Sequence, residues 1–163
     1  MKTKKLTFSA LLIAIGVLSS HLIYIPIGPS KCFPVQHAIN VISAITLGPW
    51  YALGNAFLIS LLRNILGTGS ILAFPGSMIG SLFAGILYKK FSNTLIALGG
   101  EIIGTGVIGA LAAYPLAKII LGKNISLFFF VAPFSVSTIG GSIIAYAILI
   151  GLDKSKILKN IHI

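Results

Sequence analysis

Residues 6–25 read LTFSALLIAIGVLSSHLIYI. The run holds no Asp, Glu, Lys or Arg, and a helix of about 20 residues rising 1.5 Å per residue spans the roughly 30 Å hydrocarbon core of a bilayer. The basic start MKTKK resembles the n-region of a signal peptide. A signal peptide, however, has an apolar core of only about 7–15 residues and a small-residue cleavage site of the A-x-A kind. This run is longer, no such site follows it, and it reads as a first transmembrane helix.

The rest of the chain continues in the same character. Of 163 residues, 56% are hydrophobic and 9% charged, with a mean hydropathy of +1.05. A soluble domain cannot hide that much apolar surface. At about 20 residues per span the length allows roughly six helices on very short loops. The expectation is an all-α integral membrane protein, one six-helix membrane domain over residues 1–163, with helices near 6–25, 35–47, 49–66, 72–88, 93–121 and 127–152. Proline and glycine set these boundaries: Pro26-Ile27-Gly28-Pro29-Ser30, Gly48-Pro49, Gly67-Thr68-Gly69-Ser70 and the Gly122–Ser126 turn. Pro75 should shape the entry to the fourth helix, and Pro115 lies within the fifth.

A net charge of +10 would suggest nucleic acid in a soluble protein, but here its distribution follows membrane topology. Six spans put both termini on one side. With that side cytoplasmic it gathers Lys2, Lys4, Lys5, Lys89, Lys90, Lys154, Lys156 and Lys159, against Lys31, Lys118, Lys123 and Arg63 outside, which satisfies the positive-inside rule. The expected location is the plasma membrane, with no nucleic-acid partner and with lipid as the surrounding medium. The lone Cys32 excludes an intramolecular disulfide.

Small residues recur every four positions: Ala10 and Ala14, Gly76, Gly80 and Ala84, Gly100 and Gly104. Such spacing lets helices approach closely in lipid. Most of these should pack internally, with Ala10 and Ala14, beside a basic end, as candidates for docking another protein. One half of the chain does not repeat in the other, which weakens an inverted-repeat carrier.

Catalytic and metal signatures are missing from the sequence: no G-x-x-x-x-G-K-S/T loop, no H-E-x-x-H and no Cys/His cluster with metal spacing. Ser70 and Ser77 lack a triad partner. No enzyme, cofactor or metal is expected, and any use of ATP needs another subunit. Arg63 and Glu101 are the informative residues, because an ionised group inside a bilayer costs at least about 2.5–3.5 kcal/mol and usually faces a cavity or a partner. Arg63 opens the richest polar stretch, Arg63-Asn64-Ile65-Leu66-Gly67-Thr68-Gly69-Ser70 through Phe74-Pro75-Gly76-Ser77. It is mostly apolar with a few placed polar groups, the composition of a small-molecule pocket; the alternative is a structural junction with Arg63 snorkelling to the interface. Glu101 should lie about 12 Å deep from the cytoplasmic end. It contacts ligand, or it pairs with Arg63 and ties two helices together. His37 is a candidate ligand group or a hydrogen-bonding residue at a helix start.

These residues resemble a known family, the membrane substrate-binding (S) components of energy-coupling-factor transporters, and within them the ThiW family for the thiazole precursor of thiamin. The resemblance rests on Gly28-Pro29-Ser30-Lys31-Cys32-Phe33-Pro34-Val35-Gln36-His37, Leu47-Gly48-Pro49-Trp50-Tyr51, Leu62–Ser77 and Gly100-Glu101-Ile102-Ile103-Gly104-Thr105-Gly106. It implies a six-helix bundle that captures a small ligand near the outer face. Partners would be a transmembrane coupling subunit and two ATP-binding cassette ATPases, docked through an A-x-x-x-A stripe that Ala10-Leu11-Leu12-Ile13-Ala14 matches. The implied ligand is a neutral heteroaromatic, 4-methyl-5-(2-hydroxyethyl)thiazole, held by residues drawn from Gln36, His37, Arg63, Asn64, Thr68, Ser70, Phe74, Ser77 and Glu101. A self-sufficient proton-coupled carrier, with Glu101 binding and releasing the proton, is the alternative.

Overall fold

The structure, a computed structural model, describes residues 2–27, 30–122 and 124–154. Gly28 and Pro29 of the first turn, and Lys123, Lys156 and Lys159 of the charge pattern, lie outside the described residues. Within them run α1 (Lys2–Leu22), β1 (Ile25–Ile27), β2 (Ser30–Cys32), α2 (Pro34–Leu47), α3 (Pro49–Ile65), α4 (Ala73–Phe91), α5 (Thr94–Ile103), a π-helical stretch (Gly104–Gly109), α6 (Ala110–Ile119) and α7 (Val131–Lys154). Since α5, the π stretch and α6 form one rod, the described residues make six helical rods. Three segments are long and apolar enough to cross a membrane: Thr3–Leu22, Thr94–Ile119 and Val131–Leu152. The protein is a membrane protein. At 14 and 17 residues, α2 and α3 are only about 21 and 26 Å long.

Four helix ends depart from the sequence expectation by three or four residues: α1 already begins at Lys2 and α4 runs on to Phe91, and two further shifts have a visible cause. The first helix stops at Leu22, and Ile25 instead enters a hairpin with the register Ile25↔Cys32, Pro26↔Lys31, Ile27↔Ser30. Pro26 disfavours helical backbone at the residue before it and is tolerated on a strand edge. The last helix begins at Val131 rather than near 127. A helix running through Phe129 would put its carbonyl against the ring of Pro133, four residues on.

Helix α2 is the axis of the bundle. Twelve of its residues are buried, and it packs against α1, α3, α4, α5 and α7. Its Ile39, Val41, Ile42 and Ile45 form one core with Leu12, Val17, Ile59, Leu98, Ala145 and Leu149. The turn into α3 is sharp because Gly48 takes a left-handed φ of 92° and Pro49 is preset for the first helical position. At the other end of α4, the Asn93 side chain caps α5 by accepting from Leu95 N at 2.8 Å and Ile96 N at 3.2 Å.

The small-residue stripe of α4 meets that of the fifth rod. A Cβ added to Gly104 would lie 2.8 Å from Gly80 Cα, and one on Gly100 would lie 3.1 Å from Ala84 N. These stripes are internal packing, as their spacing suggested. Ala10 and Ala14 differ: both are exposed, on the side of α1 away from the buried Leu12.

Candidate functional site

The starts of α2, α4 and α7, the end of α3 and the hairpin come together at one end of the bundle around a cavity of about 600 Å³. That volume is typical of small-molecule sites. Phe33, Gln36 and His37 line it from the start of α2, and Arg63, Thr68 and Ser70 from the end of α3 and its turn. Gly76 and Ser77 of α4 and Thr105 of the π stretch form its deeper wall. Phe129, Phe130 and Phe134 close the side formed by the segment entering α7.

Polar side chains are threaded beneath this wall in one continuous network. The Arg63 guanidinium stacks 3.7 Å from the centroid of the Phe33 ring. Its Nη1 donates to Gln36 Oε1, and its Nη2 donates to the Thr68 carbonyl at 3.0 Å. Gln36 Nε2 donates in turn to Ser60 Oγ at 3.1 Å and Ser77 Oγ at 2.9 Å. Asn40, one turn below Gln36 on the same face of α2, donates to Ser77 Oγ at 3.2 Å and to Glu101 Oε1 at 3.0 Å. Glu101 Oε1 also accepts from Thr105 Oγ1 at 3.1 Å and lies 2.9 Å from His37 Nδ1. Arg63 is 2% exposed and Glu101 0%, so both side chains are withdrawn from solvent and met by dipoles and a neighbouring imidazole, with Arg63 Nε and Glu101 Oε2 left without a partner among the described residues. Cys32, outside the helices, donates its thiol to the Pro133 carbonyl at 3.1 Å, and burial pushes that thiol above its ordinary range.

Of the residues singled out from sequence, Gln36, His37, Arg63, Thr68, Ser70 and Ser77 line the cavity. Glu101 sits one layer behind, touching His37 and Thr105, which do line it. Two are placed elsewhere. Asn64 ties its amide to the Ser60 carbonyl at 2.7 Å, and Phe74 packs on Phe57 at 5.7 Å between centroids; neither forms part of the cavity wall. In a helix the neighbour of an inward residue is rotated about 100° away, so Arg63 and Asn64 do not share a face. Nor do Arg63 and Glu101 pair: Gln36 and Thr68 hold the first, and His37, Asn40 and Thr105 the second.

Sequence reasoning passed over Asn40 and the phenylalanines before α7. A signal for Asn40 was present, because Gln36, Asn40 and Ser43 recur at helical spacing in an otherwise apolar segment. The run Phe128-Phe129-Phe130 gave none, since in a membrane protein it reads equally well as lipid-facing surface.

Gly80 makes room for this network. A Cβ there would lie 2.8 Å from Glu101 Oε2 and press on the Thr105 hydroxyl. Gly80→Ala is therefore expected to destabilise the folded protein by about 1–3 kcal/mol, read as a lower melting temperature in detergent together with weaker ligand binding. Gly99→Ala, where nothing lies within 4 Å, should leave both intact.

No curated protein and no solved structure matches this chain. The family described as thiamine-precursor transporter protein (ThiW) matches residues 6–155, which include all but the first residues of α1 and the whole of every later helix. With a match over that much of its length, the chain belongs to the ThiW family of thiamine-precursor transporter proteins.

Proposed function

We propose that the protein is the substrate-binding component of an energy-coupling-factor importer, which captures 4-methyl-5-(2-hydroxyethyl)thiazole outside the cell and delivers it without changing it. The observation that carries this reading is the cavity: about 600 Å³, walled by phenylalanines and floored by a polar network, at one end of a bundle with no nucleotide-binding motif. In this reading the chain makes six spans in a prokaryotic plasma membrane, and the lysine distribution supports cytoplasmic termini with the cavity at the outer face. The aromatic walls suit a flat heteroaromatic ring, and Gln36, His37, Arg63, Thr68, Ser70 and Ser77 supply its polar contacts. A transmembrane coupling subunit and two ATP-binding cassette ATPases complete the importer, docked on the exposed Ala10 and Ala14.

One observation favours the second reading, a self-sufficient proton-coupled carrier. Glu101 has an imidazole beside it, His37 Nδ1 at 2.9 Å, and a carboxylate–histidine pair behind a ligand cavity is a chemically reasonable proton site. Reconstituted uptake separates the two. Thiazole accumulation that requires the coupling subunit, both ATPases and ATP is the expected result. Accumulation by this chain alone under a pH gradient, lost in Glu101→Gln, would establish the carrier instead. Saturable binding of an unrelated vitamin with none of the thiazole would overturn the ligand and leave the class standing.

A further inference from the structure

We infer that His37 Nε2 is the acceptor that reads the hydroxyl of the ligand, and that Glu101 acts as a positioning residue that keeps it an acceptor. The inference rests on the reading above that the ligand is a heteroaromatic alcohol.

Three groups converge on Glu101 Oε1: the Asn40 amide, which donates at 3.0 Å, His37 Nδ1 at 2.9 Å, and the Thr105 hydroxyl at 3.1 Å, which also has the Gly76 carbonyl at 3.0 Å. A carboxylate can only accept. Facing an ionised Glu101, a neutral imidazole holds its proton on Nδ1 and carries a free lone pair on Nε2. His37 lines the cavity with 11% of its side chain exposed, and Nε2 has no partner among the described residues. Four of the other wall groups already accept a hydrogen bond. Gln36 Oε1 accepts from Arg63, Ser77 Oγ from Gln36 and Asn40, Ser137 Oγ from the Phe33 amide at 2.9 Å, and Ser70 Oγ from the Leu72 amide at 3.3 Å. A hydroxyl is a donor that such a lone pair can take. The Asn64 amide is turned away to the Ser60 carbonyl.

The consequence is a selectivity that a merely structural histidine would not produce. Titration calorimetry with purified protein compares 4-methyl-5-(2-hydroxyethyl)thiazole with 5-ethyl-4-methylthiazole, which keeps the ring and lacks the oxygen. The alcohol should bind about 5–150-fold more tightly, the range expected when a desolvated acceptor is left unpaired. In His37→Ala that ratio should fall towards one. In Glu101→Gln it should fall part of the way, because an amide can also donate to Nδ1 and release the tautomer. Nitrogen-15 spectra of histidine-labelled, unaltered protein should show Nε2 unprotonated, and this measurement does not depend on any variant folding. An alcohol preference that survives His37→Ala, equal binding of the two thiazoles to the unaltered protein, or a protonated Nε2 would each overturn the inference while leaving the transporter reading intact. Failure of both thiazoles to bind would instead bring down the ligand reading, and this inference with it.

Discussion

Ala14→Trp is expected to abolish ATP-driven uptake while leaving thiazole affinity of the isolated protein within about twofold, as for a surface substitution that touches no buried group. Ala10 and Ala14 lie one turn apart on the exposed side of α1. Other faces of that helix hold it to the bundle through Leu12, the Ser9 hydroxyl on Asn55, and Gly16, whose added Cβ would lie 2.7 Å from Ile59 Cδ1. An indole at position 14 therefore projects away from the fold, where it obstructs only a helix that needs to come close. Co-purification with the coupling subunit and ligand titration on the same variant give the answer. Retained assembly with full transport would remove this face from the docking surface. Gly16→Trp is the internal counterpart and should unfold the protein or destroy ligand binding.

Arg63→Ala should weaken thiazole binding by about 10–150-fold, the loss of one charge-assisted hydrogen bond in a desolvated site. The guanidinium holds the Phe33 ring, the Gln36 carbonyl and the Thr68 backbone at once, so its removal loosens three sides of the cavity. Arg63→Lys keeps the charge without the planar fork and should recover only part of the affinity. Lys118→Ala is the control, because Lys118 is exposed, stands over the Tyr114 ring at 5.8 Å and takes no part in the cavity wall. Asn64→Ala should fall between these limits, acting through the end of α3 rather than through the ligand. Equal, small effects at Arg63 and Lys118 in folded protein, measured by calorimetry, would move the site elsewhere.

The sequence by itself determined the number of helical rods and most of their ends to within two residues. Those depend on local properties: apolar runs long enough for a bilayer, prolines that remove a donor, and glycines that turn the chain at Gly48 and Gly67. It also marked Arg63 and Glu101, because a charge in an apolar stretch stands out without any knowledge of its neighbours. Tertiary structure decided what answers those charges. Gln36, Asn40 and Ser77 connect them only because α2 passes between α3, α4 and the fifth rod, and His37 rather than Arg63 meets Glu101 because the two acidic and basic residues lie at different depths along different helices. The same holds for the two neighbours at positions 63 and 64. One-dimensional spacing gave them equal standing, whereas the helical rotation of about 100° per residue turned one into the cavity and the other onto its own helix. Hydropathy could not separate the phenylalanines before α7 from lipid-facing ones, since an apolar ring meets lipid and an apolar cavity wall with nearly the same free energy, and only the packing of neighbouring helices chooses between them.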